Sequence, residues 1–110
     1  METIAFEDFA KVDMRVGRIL SAEPLKGARV PAYALRVDFG ELGVKQSSAR
    51  LTGVYAADEL PGRLVVAVVN FEPRRIAGYR SEVLVLGVDG EGGVVLLTPE
   101  REVVLGQRVF

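Results

Sequence analysis

Tyr33-Ala34-Leu35-Arg36-Val37-Asp38-Phe39 alternates apolar and polar side chains with a period of two. A β-strand turns successive side chains to opposite faces, so Tyr33, Leu35, Val37 and Phe39 share one face and Arg36 and Asp38 lie on the other. The stretch is the clearest strand in the chain and its apolar face marks a core. Upstream, Val12, Met14 and Val16 alternate with Asp13 and Arg15, which predicts a half-buried strand from Asp13 to Leu20. Gly17 interrupts that pattern and predicts a bulge or sharp bend there. Glu23-Pro24-Leu25-Lys26-Gly27 reads as the turn between the two strands.

Downstream, a third strand is expected over about Val44 to Leu51. Lys45-Gln46-Ser47-Ser48 makes it unusually polar. Thr52 to Gly62 reads as a short helix stopped by Pro61-Gly62. The runs Leu64–Val69, Val83–Leu86 and Val94–Leu97 are apolar on both faces, and Asp89 to Gly93 forms a hairpin loop between the last two. A further short helix is expected over Thr3–Phe9, with Thr3 as N-cap and Glu7 and Asp8 favouring its early turns. Three strands, a helix and further strands suit an all-β fold. The expectation is a five-stranded OB-fold β-barrel with short helices at the N-terminus and between strands 3 and 4, built as a single domain over residues 1–110.

Composition narrows the chemistry. The 110 residues include neither Cys nor His. No thiolate nucleophile or disulfide framework can form, and the usual general base near neutral pH is missing. No metal site, cofactor or catalytic residue is therefore expected. With no secretory signal and no apolar run long enough to span a bilayer, the expected compartment is the cytoplasm, without membrane insertion. Net charge is −1, but residues 11–80 hold 12 of the 14 basic side chains and 7 of the 15 acidic ones. That basic middle could meet an anion; a mixed solvated surface gives the same count.

Two features exceed what a lone barrel needs. Three late strands are apolar on both faces, and the sequence finishes on Val109-Phe110. Both predict a second buried surface, most simply in a twofold homodimer formed by the N-terminal segment, the C-terminal tail and one face of the late strands. The alternative is that the short helices cover that face.

Several polar and aromatic residues are candidates for a site. Lys45 and Ser47 share one strand face, Gln46 and Ser48 the other, which offers hydrogen bonds to a peptide backbone or a nucleotide; the alternative is a polar edge strand that discourages aggregation. A Ser–Lys hydrolytic pair is set aside because no further motif supports it. Asn70 could fix a ligand or cap the turn at Phe71-Glu72-Pro73. Phe71 and Tyr79 flank a loop and could stack bases or grip apolar side chains, and Arg15, Arg36, Arg50, Arg74, Arg75 and Arg80 would suit phosphate or carboxylate if some of them converge on one face.

Val12-Asp13-Met14-Arg15-Val16-Gly17-Arg18-Ile19 resembles the opening of the tRNA-binding OB domains, which occur appended to some aminoacyl-tRNA synthetases and as free dimeric proteins. The resemblance sharpens towards the CsaA branch through Pro31-Ala32-Tyr33, Val37-Asp38-Phe39-Gly40, Lys45-Gln46-Ser47-Ser48-Ala49, Val68-Val69-Asn70-Phe71, Pro73-Arg74, Ile76-Ala77-Gly78, Ser81 to Gly87 and Leu97-Thr98-Pro99. It implies a homodimeric cytoplasmic chaperone that binds unfolded or precursor polypeptides for export, with the export machinery as a further partner. A tRNA- or RNA-binding OB domain is the alternative. The sequence departs from the wider family by lacking its His-Pro pair at Ala28-Arg29-Val30-Pro31 and by placing Glu82-Val83 after Ser81. Those departures set the polypeptide reading first. The client site expected on this resemblance comprises Arg15, Lys45, Ser47, Ser48, Asn70, Phe71, Arg74, Tyr79, Ser81 and Glu82.

Overall fold

A computed structural model describes residues 1–110. A helix, α1 (Phe6–Ala10), is followed by nine strands. They are β1 (Met14–Pro24), β2 (Tyr33–Asp38), β3 (Val44–Ala49), β4 (Leu64–Val68), β5 (Arg74–Ile76), β6 (Tyr79–Ser81), β7 (Leu84–Val85), β8 (Gly87–Gly90) and β9 (Gly93–Leu96). Five of them form an antiparallel sheet in the order β3-β2-β1-β4-β7, nearly closed into the expected OB-type barrel. The pairs β5–β6 and β8–β9 are separate two-stranded hairpins; the second turns within the expected Asp89–Gly93 loop, whereas β5–β6 was not expected.

One long strand serves both sides of the barrel. The first half of β1 pairs with β4, Met14 opposite Val68 through Arg18 opposite Leu64. Its second half pairs with β2, Arg18 opposite Asp38 through Pro24 opposite Tyr33. The register slips between Ile19 and Ser21, so the bulge falls at Leu20 and not at Gly17. Gly17 has a different task. A Cβ there would stand 2.6 Å from Val37 Cγ1 and 2.7 Å from Phe39 Cε1. The missing side chain leaves the space that Phe39 fills. Ile19, Leu35, Val37, Phe39, Leu60 and Val65 are fully buried around it. Burying each such side chain stabilises the fold by about 1.5–3 kcal/mol. Tyr33 joins this core and donates its hydroxyl to the Tyr55 carbonyl at 2.7 Å.

The helices are shorter than expected. Between β3 and β4 only the 3₁₀ turn Ala57–Glu59 forms, its entry tied by the Ala56 N–H donating to Glu59 Oε1 at 2.7 Å. Gly53 abuts the β8–β9 turn so closely that a Cβ would meet Gly92 O at 2.5 Å; the chain is held there by tertiary contact, which overrides local helix propensity. At the N-terminus, α1 begins after Ala5, beyond Thr3, and the Asp8 carboxylate accepts from the Ala5 N–H at 3.2 Å.

The barrel closes mostly through side chains, with one backbone bond among them. On the edge of β3 away from β2, the Gln46 N–H donates to Glu82 Oε1 at 2.9 Å and the Glu82 N–H donates to Gln46 O at 2.8 Å. The Ser48 N–H donates to Ser81 Oγ at 3.0 Å, and Ser47 Oγ donates to Val83 O at 2.9 Å. The polar run in the third strand is thus the seam of the barrel. A C-terminal strap runs along the other open edge of β1. Gly106 N–H donates to Val16 O, Val16 N–H to Gln107 O and Val109 N–H to Met14 O, at 2.8–3.0 Å.

A cleft along the barrel seam

The hairpin β5–β6 stands beside the seam and makes a cleft of about 380 Å³. Its tight turn, Ala77-Gly78, has positive φ at both residues (51° and 82°), the primed-turn twist that suits a two-residue hairpin loop. Phe71, Ile76, Val83 and Leu84 supply apolar surface; Ser48, Ser81, Glu72, Arg74 and Glu82 are the polar lining. Phe71 is 57% exposed, in the loop that enters β5. The Glu82 carboxylate faces Arg80 at 3.8 Å while holding the Gln46 N–H. Ser81 Oγ accepts from Ser48, which leaves its own O–H free to donate.

Five of the ten expected site residues therefore meet here: Ser48, Phe71, Arg74, Ser81 and Glu82. The other five are placed elsewhere, each for a visible reason. Ser47 is fully buried with its hydroxyl committed to Val83 O. Lys45 lies on β3 opposite Val37 and lines neither this cleft nor the one beside it. The half-buried Tyr79 donates to Leu35 O at 2.8 Å, and burial pushes its hydroxyl above the ordinary tyrosine pKa, so it remains a donor. Asn70 ties the chain near α1 to the end of β4, accepting from Asp13 N–H at 3.0 Å and donating to Lys11 O at 2.7 Å. Arg15 grips Asp13 with two nitrogens, at 2.6 and 3.3 Å, and donates to Gly106 O in the strap at 3.0 Å. The hydrogen bond from Arg15, together with the charges of Arg15 and Arg108, holds the Asp13 carboxyl below the ordinary aspartate range despite partial burial.

Sequence reasoning did not place Glu72, Ile76, Val83 and Leu84 in the site. Leu84 carries a signal in retrospect: it follows the buried Val83 yet is nearly half exposed, because that run is a two-residue strand and a turn. A second, wider groove of about 910 Å³ continues from the first and shares Ser48, Arg74, Ile76 and Leu84 with it. Arg29, Arg50, Arg74 and Arg75 line it, without any carboxylate side chain. None of the four is in an ion pair. No group of three or more acidic side chains gathers as a metal site, and no helix is long and apolar enough to cross a membrane.

A small OB-type barrel with an apolar cleft on its seam and arginines beside it defines a ligand-binding domain. The family described as "Putative tRNA binding domain" matches residues 14–108, and the chain belongs to that family. The chaperone CsaA of Bacillus anthracis has a similar structure, with a TM-score of 0.89 and 48% identity over 99% of this chain and 100% of that one. CsaA of Picrophilus torridus is similar at a TM-score of 0.92 and 45% identity, over 98% of this chain and 100% of that one. A methionine–tRNA ligase from Archaeoglobus fulgidus is 39% identical over 98% of this chain and 16% of its own length. The chain spans about one-seventh of the length of the curated ligases it matches (14–16%).

Proposed function

We propose that this chain is a CsaA-like holding protein, a cytoplasmic homodimer that binds unfolded or precursor polypeptides for export and assigns its seam cleft to them. The observation that carries the reading is the cleft itself. Its apolar wall of Phe71, Ile76, Val83 and Leu84 accepts a client side chain without demanding a shape, and the hydroxyls of Ser48 and Ser81 reach a client backbone. Backbone hydrogen bonds with an undemanding apolar pocket give broad selectivity. Full-length similarity to proteins described as CsaA chaperones supports the same reading. Export machinery is the partner to which such a client would pass.

The dimer rests on surface. Ile4, Phe6, Val104 and Phe110 project from the two ends of the chain, and Val88 and Val95 from the late strands. The accessible area is 7415 Å², against about 5,900 Å² for a compact monomer of this mass. A second copy covering those residues would bury part of the excess.

The test is to titrate a labelled unfolded precursor against the wild type and Phe71→Ala at matched oligomeric state. Truncating Phe71 should weaken binding by about 1–3 kcal/mol, or roughly 5- to 150-fold in Kd. No binding by the wild type would remove the polypeptide reading.

RNA is the second reading, favoured by the four arginines of the wider groove and by family membership. On that reading affinity for tRNA falls steeply with salt as phosphate contacts release counterions. Arg74→Ala and Arg75→Ala would lower it for all RNA sequences alike.

A further inference from the structure

We infer that the client segment this cleft selects is an apolar residue flanked on one side by carboxylates, with Arg29 and Arg50 as the residues that read the acidic flank. The inference rests on the polypeptide reading above and gives that site its sequence preference. The apolar cleft and the arginine groove are one continuous track, joined at Ser48, Arg74, Ile76 and Leu84. The track is polarised. At one end, Glu72 and Glu82 lie among the apolar wall. At the other, Arg29, Arg50 and Arg75 join Arg74 with no carboxylate among the lining residues.

The side chains of Arg29, Arg50 and Arg74 form no hydrogen bond or ion pair within the chain, and the Arg75 side chain donates only to Gly78 O, at 3.2 Å. Such guanidinium groups keep their fork of donors for a ligand carboxylate. An extended polypeptide advances about 3.3 Å per residue. A side chain seated against Phe71 and Leu84 therefore sends the residues a few positions along into the arginine groove. A segment with basic residues on that flank meets four like charges.

Two features set an acidic polypeptide ahead of RNA as the occupant of the whole track. The arginine groove has no aromatic side chain on which a base could stack, and the one aromatic on the track, Phe71, stands in the cleft with Glu72 and Glu82. A polyphosphate laid along the full length would also run onto Glu72 and Glu82. A polypeptide can be acidic at one end of the track and neutral or basic at the other.

The test uses dye-labelled, unstructured twelve-residue peptides with one Leu-Phe pair and a four-residue block of Asp, Ser or Lys on its N-terminal or C-terminal side. Anisotropy titrations with the full chain at low salt give the Kd values. In one of the two orders the Asp peptide should bind about 3- to 10-fold tighter than the Ser peptide, from two or three exposed charge pairs. The gain should shrink at high salt. Arg29→Glu/Arg50→Glu should reverse the preference to Lys, and Arg29→Gln/Arg50→Gln should abolish it. The Asp-to-Ser and Lys-to-Ser ratios of Kd within each protein are the readout, so a change in overall affinity cancels. Equal binding of Asp, Ser and Lys peptides in both orders, or a Lys preference in the wild type, overturns the inference and leaves the polypeptide reading standing. Binding of no peptide at all removes that reading and the inference with it. A tRNA that binds the wild type tightly, and loses affinity in the Glu variant while every peptide binds alike, assigns the groove to nucleic acid and also overturns it.

Discussion

Replacing Ser47 with Ala separates a residue of the barrel seam from a residue of the ligand site. Ser47 is fully buried and its hydroxyl donates to Val83 O at 2.9 Å. Alanine removes the donor and leaves a buried carbonyl without that partner, a loss of about 1–3 kcal/mol. With about 2.1 cal/mol/K of unfolding entropy per residue, 110 residues give about 230 cal/mol/K, so each kcal/mol lowers Tm by about 4 °C. The expected drop is about 4–13 °C. Differential scanning calorimetry at one fixed protein concentration measures it, because association makes Tm depend on concentration. Once the protein is folded, its affinity for an unfolded client should match the wild type. A Tm within about 2 °C of wild type, with client binding lost, would refute the argument and return Ser47 to the ligand site.

Three further outcomes follow from the packing and the charges. Gly17→Ala forces a methyl group against Val37 and Phe39 and should destabilise by about 1–3 kcal/mol; an unchanged urea midpoint would mean the core yields more easily than its packing implies. The Asp13 pKa is lower in the fold than its ordinary 3.8, so its stabilising contribution is fully present above that value and is lost as pH falls through the folded pKa. Asp13→Asn should therefore flatten the acid limb of the stability curve below about pH 4, and an acid limb as steep as the wild type's counts against the Asp13–Arg15–Arg108 network. Deleting Arg108–Phe110 removes the Val109–Met14 and Arg108–Ala10 bonds together with the projecting Phe110. Sedimentation should show weakened self-association, and a wild type that is monomeric at micromolar concentration would defeat the dimer.

The barrel was legible because its strands declare themselves by period. Tyr33 to Phe39 keeps strict alternation through β2, and Tyr33, Leu35, Val37 and Phe39 are all buried. Gly17 carried a real signal with two meanings, a bend or a close approach, and nothing local separates them; Phe39, twenty-two residues away, decides. The site was half legible for a similar reason. Phe71, Arg74, Ser81 and Glu82 lie on or beside a hairpin that sequence periodicity did not predict, and they meet. Ser47, Tyr79 and Asn70 carry the same kinds of polar group, yet their partners are backbone atoms 36 to 59 residues distant, and Arg15 is taken up by Asp13 and a strap carbonyl. Residue type announces the capacity to hydrogen-bond; long-range topology decides whether a ligand or the fold uses it.

Closing the barrel with side chains has a dynamic consequence. In an antiparallel strand alternate amides point to opposite edges, so Lys45 and Ser47 direct theirs to β2 while Gln46 and Ser48 direct theirs to Glu82 and Ser81. A carboxylate or hydroxyl can swing away by rotating its own bonds, with no strand needing to unpair. Hydrogen exchange should therefore report alternating protection along this one strand, with Gln46 and Ser48 trading their protons faster than Lys45 and Ser47 by the local opening of two rotamers. Such openings would bare the Gln46 and Ser48 amides next to the cleft without global unfolding, while the backbone bond from Glu82 N–H to Gln46 O keeps the seam in register.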